Sequence, residues 1–148
     1  MDRRSKANTR RGASVRDGAT KTRATPRAKG TRIRVKRAYE APSRSDGCRV
    51  LVDRIWPRGR AREDLRIDDW VKDLAPSDKL RQWFGHEPVR WDAFKARYFR
   101  ELNKHPEEVQ RLLDECARST LTLVFGAKDV DHNNAVALKE FLERRLDK

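Results

Sequence analysis

The sequence predicts an α/β domain in which a small, mostly parallel sheet of about three strands is packed by several helices. Three observations predict it. Two short runs, "CRVLVDRI" at 48–55 and "LTLVFGA" at 121–127, have the near-continuous apolar centres of strands buried on both faces. The stretch between them changes to helical spacing, and a long helical crossover is what joins parallel strands. Residues 1–31 contain no Leu, Ile, Phe, Trp or Tyr. Such a segment cannot bury enough apolar surface to offset its chain entropy, so a disordered tail is expected there and a single domain over 32–148.

The elements follow in order. "RIRVKRAY" (32–39) alternates Ile33 and Val35 with basic residues, the pattern of a strand with one wet face. Pro42, Ser43, Ser45, Asp46 and Gly47 supply turn chemistry. A second strand runs from Cys48 to about Ile55, and Pro57 ends it by removing an N–H and forcing Trp56 to be extended. Ile67, Trp70, Val71 and Leu74 recur at spacings of 3, 4 and 7, which reads as a short amphipathic helix. Ser77 then caps a second short helix faced by Leu80, Trp83 and Phe84. Pro88 opens a longer one carrying Trp91, Phe94, Tyr98 and Leu102, and Pro106 opens the next, to about Arg118. After the third strand comes the loop "KDVDHNN" (128–134). The last helix turns Ala135, Leu138, Phe141 or Leu142, and Leu146 inward.

Charge narrows the function classes. The net charge is +13. Residues 1–30 account for +8 of it, with ten Lys or Arg against two acids. A polycation of that kind associates with nucleic acid through counterion release and without sequence preference. No apolar run reaches the roughly 18 residues that span a bilayer, so no membrane partner is expected. Cys48 and Cys116 read as small core residues in a reducing, cytoplasmic compartment. His86, His105 and His132 show no metal-ligand spacing, and no phosphate loop, dinucleotide fingerprint or nucleophile elbow is present, so neither metal nor cofactor is indicated. His86 reads as a helix-entry residue. The four tryptophans read as packing residues, Trp56 being the one that the Pro57 turn could expose.

Ligands of open α/β sheets sit beyond the carboxyl ends of the strands. Two polar loops meet that description: Asp53-Arg54 through Arg58-Gly59, and Lys128 to Asn134. In one reading Asp53 is an acceptor at the strand tip, and Arg58 and Lys128 form an anion site with Arg54, Asp129, Asn133 and Asn134 around it. In the other, Asp53 pairs with Lys128 or Arg54 to tie strand ends together, and Asn133 caps the last helix.

"SDGCRVLVDRIWPRG", "LAPSDKLRQWFGHEPVRWDAFKARYFREL" and "LTLVFGAKDVDHNNAVAL" together resemble the YeaO-like branch of the bacterial family called domain of unknown function 488. The resemblance covers residues 32–146. In the wider family the last strand leads into a Lys-Asp segment and a Cys-His-Arg triplet. The YeaO-like branch usually has Asn-His-Ala there. This chain keeps Ala127-Lys128-Asp129 and then has Asn133-Asn134-Ala135, so the triplet's Cys and His are both asparagine. The resemblance therefore implies no nucleophile and no general base at those positions, and no catalytic residue is assigned. Binding of a small anionic or nucleotide-like ligand at the strand ends is the expected function. The alternative is a nucleic-acid-associated protein that uses the tail and the 54–66 loop, where five Arg meet two acids.

Overall fold

The computed structural model, which describes residues 33–147, contains one sheet of four parallel strands. They are β1 (Ile33–Arg37), β2 (Cys48–Leu51), β3 (Asp69–Trp70) and β4 (Leu121–Phe125), in the spatial order β1-β4-β2-β3. The helices are α1 (Arg62–Leu65), α2 (Asp78–Phe84), α3 (Trp91–Leu102), α4 (Pro106–Arg118) and α5 (Asn134–Leu146). The tail expected over residues 1–31 lies outside the described residues. Because every pairing is parallel, all four strands deliver their carboxyl ends to one rim of the sheet.

Register divides the side chains between two unequal faces. Ile33, Leu121 and Cys48 stand level across β1, β4 and β2, and alternation then sends Ile33, Val50, Leu121, Leu123 and Phe125 to one side. There they meet the apolar stripes of α2 to α5, among them Leu80, Phe84, Phe94, Tyr98, Leu112, Leu138 and Leu142. Each such side chain contributes roughly 1.5–3 kcal/mol on burial. The Tyr98 hydroxyl donates to the Leu74 carbonyl within this core. Burial raises its phenol well above the usual range.

The other face is smaller. Leu51 and Val124 pack with Ala38 and Leu65, and Trp56, Ile67 and Trp70 close over them. Beside this cluster the β1–β2 connection lays a buried charge cluster on the sheet. Asp46, fully buried, takes Lys36 Nζ at 3.1 Å, Arg49 Nη1 at 2.7 Å and the Ser43 N–H at 3.0 Å. Arg49 Nε and Nη2 both donate to the Leu65 carbonyl. Burial alone would raise the Asp46 carboxyl, but these donors outweigh it and hold it down at about 2. Gly47 follows with φ +63°, and a Cβ there would lie 2.3 Å from the Thr120 carbonyl oxygen. That oxygen accepts from the Cys48 N–H at 2.8 Å, so only glycine lets β2 start beside β4.

One expectation is corrected. Ile67, Trp70, Val71 and Leu74 do not share a helix face. Asp69 and Trp70 pair with Val50 and Leu51 as β3, and Lys72–Leu74 form a single 3₁₀ turn. Ile67 and Trp70 enter the minor cluster while Val71 and Leu74 enter the major core, so the apparent period straddles the sheet. The sheet consequently has four strands rather than about three. β2 also ends earlier than expected, at Leu51. Among the described residues no disulfide joins the cysteines; Cys116 is buried, and Cys48 is half-buried with its thiol pushed by burial up to about 11. No helix among them is long and apolar enough to cross a membrane.

Candidate functional site

Beyond the carboxyl ends of β2 and β4 lies a half-open cavity of about 220 Å³. β2 brings Asp53, Arg54 and Ile55 to it, and β4 brings Ala127. The start of α5 contributes Asn133 and Asn134, while Ala75, Pro76, Arg81, Phe84, His86 and Phe94 form the facing wall. The site exists because parallel strands expose unpaired backbone at their tips and the crossover helices pack around that rim.

Asp53 is its floor. One carboxylate oxygen accepts from the Gly126 N–H at 2.8 Å and the other from Asn134 Nδ2 at 3.1 Å, and Asn134 Nδ2 also donates to the Val52 carbonyl at 2.9 Å. Trp70 Nε1 fixes the backbone by donating to the Asp53 carbonyl at 2.7 Å. Burial raises the Asp53 carboxyl, opposed by the Gly126 N–H, by Asn134 and by the charge of Arg81. It makes no ion pair with Lys128 or Arg54. The Gly126 N–H ties the β4 tip to the β2 tip, and the Asn134 amide ties the β2 tip to the start of α5.

The guanidiniums stand at the mouth. Arg54 and Arg81 both approach one carboxylate oxygen of Asp78, at 3.9 and 3.3 Å. All three side chains are well exposed, so these pairs are weak and can be exchanged for a better anion. Arg81 reaches the cavity from α2, which Ser77 starts by accepting the Leu80 N–H at 3.2 Å. His86 follows the α2 cap with φ +61°, a conformation unusual for a residue with a side chain.

The remaining expected residues divide clearly. Asn133 caps α5, accepting from the Val136 N–H at 3.0 Å and donating to the Asp129 carbonyl at 2.8 Å. Asp129 closes its own loop by accepting the Asp131 and His132 N–H groups, and it meets His132 Nδ1 at 3.1 Å. The Asp131 N–H, with His132, holds its carboxyl below the usual range. A carboxylate at Nδ1 places the ring proton there and leaves Nε2 as an acceptor when the imidazole is neutral. Arg58 and Lys128 are exposed and stand outside the cavity, Arg58 offering its carbonyl to the Tyr39 hydroxyl at 2.9 Å. The cavity's cations are thus Arg54 and Arg81, not Arg58 and Lys128. Sequence reading passed over Arg81 and His132. Arg81 carried no signal beyond its place one turn before Phe84, and His132 is one position away from the family triplet. Among the described residues no group of three His, Cys, Asp or Glu side chains could hold a metal ion.

A family model described as the inactive DUF488-N3 subclade matches residues 32–148. The chain belongs to that subclade. It is 42% identical over 110 residues to the uncharacterised protein YeaO of Escherichia coli, covering 74% of this chain and 96% of that one. An uncharacterised protein of Mycobacterium bovis is 43% identical over 117 residues, 78% of this chain and 97% of its own length. No solved structure matches the chain. Within this DUF488-N3 member, the two asparagines at the triplet have structural work: one caps α5 and the other bridges Val52 and Asp53.

Proposed function

We propose that this protein is a cytoplasmic binding module for a small anionic ligand, held at the carboxyl ends of β2 and β4 without turnover. The observation that carries the reading is the pair Arg54 and Arg81 at the mouth of the cavity, both held by exposed contacts to Asp78, with Arg54 adding a long 3.5 Å hydrogen bond to the Ala75 carbonyl. A phosphate or carboxylate there would gain charge-assisted, bidentate partners. The reading without turnover is supported by Asn133 and Asn134, whose side chains provide neither nucleophile nor base where the wider family has Cys and His, and by the subclade's description as inactive.

Thermal unfolding of the full chain against phosphates, nucleotides and small carboxylates tests the proposal. A ligand at about 100 times its Kd stabilises by roughly 2.7 kcal/mol, a rise of about 10 °C for a domain of this size. The rise should vanish in Arg54→Gln or Arg81→Gln, and no rise with any compound rejects the reading. The nucleic-acid alternative rests on the +8 charge of residues 1–30 and on exposed Arg54, Arg58, Arg62 and Arg66. It requires binding that falls steeply with salt and collapses when residues 1–30 are removed.

A further inference from the structure

The cavity is polar in two different senses. Its mouth offers donors, the guanidiniums of Arg54 and Arg81. Its floor offers acceptors. Asn134 spends Nδ2 on Val52 and Asp53, and among the described residues no donor reaches its Oδ1. Each Asp53 oxygen holds one N–H and has a lone pair left over. An anion alone would satisfy the mouth and leave these acceptors desolvated and unpaired, which is unfavourable.

Size sets a second limit. An apolar cavity of about 150 Å³ holds benzene, six heavy atoms. By that measure 220 Å³ takes roughly nine. A nucleoside monophosphate, more than twice that size, would leave most of itself in solvent. Ile55, Ala75, Pro76, Phe84, Phe94 and Ala127 supply apolar wall for a short carbon skeleton.

Resting on the anion-binding reading above, we infer that the ligand is a compact two-ended molecule: a phosphate or carboxylate joined through a few carbons to a hydroxyl or ammonium donor. The anionic end takes Arg54 and Arg81 from Asp78. The donor end points at Asp53 and Asn134 Oδ1. Small hydroxyalkyl phosphates and amino acids share this chemistry, and nucleotides exceed it in size.

The test is calorimetric titration of the full chain with matched probes: orthophosphate against glycerol 3-phosphate, acetate against serine, and adenosine monophosphate as the large member. The inference requires that at least one donor-bearing probe bind tenfold or more tightly than its bare partner, and more tightly than adenosine monophosphate. Preference for glycerol 3-phosphate identifies a phosphorylated polyol; preference for serine identifies an amino acid. Arg54→Gln or Arg81→Gln should weaken the preferred probe tenfold or more. Asp53→Asn should lower the ratio of donor-bearing to bare-anion affinity. If that variant does not fold, the wild-type comparison alone decides. Equal affinity for bare and donor-bearing probes overturns the inference and keeps the anion site. Tightest binding of adenosine monophosphate overturns the size limit. If no anion binds, the anion-binding reading itself fails.

Discussion

Asp46 and Asp53 are both carboxylates tied to β2, and their surroundings are opposite. Asp46 lies over the minor face between Lys36 and Arg49, with a backbone N–H and the Ser43 hydroxyl completing its shell. Asp53 stands at the strand's far end with an amide and one backbone N–H, and its nearby cations spend themselves on Asp78 instead. The first carboxyl is pulled down to about 2. The second is pushed up by burial. A buried carboxylate given two cations is a fastener; one given only neutral partners, beside unsaturated cations and a cavity, is available to something else.

The largest effect that would break this comparison is at Asp46. Asp46→Ala leaves Arg49 buried without its counter-charge, a loss of about 3–5 kcal/mol, or on the order of 15 °C in Tm. A drop of only a degree or two would show that the charge cluster is dispensable.

Acid sharpens the same point. Asp46 titrates at about 2 when folded and near 3.9 when unfolded. Its contribution is therefore present above about pH 4 and is lost as pH falls toward 2. Urea unfolding should register that loss as about 2 kcal/mol, and Asp46→Asn should flatten this part of the profile.

Asn133→Ala removes the α5 cap and should lower stability by about 1 kcal/mol, read as a shift in urea midpoint at constant slope. Asp53→Asn sets an amide N–H against either the Gly126 N–H or Asn134 Nδ2 and should lower stability by about 1 kcal/mol at neutral pH. A loss as large as that at Asp46 would make Asp53 structural after all. Smallest of all, Arg54→Gln and Arg81→Gln should stay within about 0.5 kcal/mol of wild type in the absence of ligand. Their effect belongs to binding.

Legibility in the sequence followed chain length within each element. α2 to α5 were readable because each presents two or more turns of apolar stripe with a cap or an opening proline, β1 because Ile33 and Val35 alternate with basic residues, and β2 and β4 because of their apolar runs. β3 was not, since two residues have no period, and Ile67, Trp70, Val71 and Leu74 mimic a helix while serving opposite sides of the sheet. Asp53, Arg54, Asn133 and Asn134 could be placed beside the cavity from the sequence because strand tips and helix starts are local features. Arg81 comes from the crossover, and only tertiary packing brings α2 to the rim. Arg58 and Lys128 have the right chemistry and the right loops. Their backbones, however, carry them past the cavity to exposed positions.

The place of β4 governs how the molecule is made. It is the partner of both β1 and β2, yet it is the last strand in the chain. During synthesis β1 emerges early and has nothing to pair with, and the β2–β3 contact alone is too short to hold. The helical crossover can form locally, but the sheet closes only when residue 125 has left the ribosome. Pairings this distant in sequence are slow to find. The half-made chain must keep its Val- and Leu-rich strand edges apart until then; β4 insertion completes the sheet, and α5, which follows it, completes the core and the cavity.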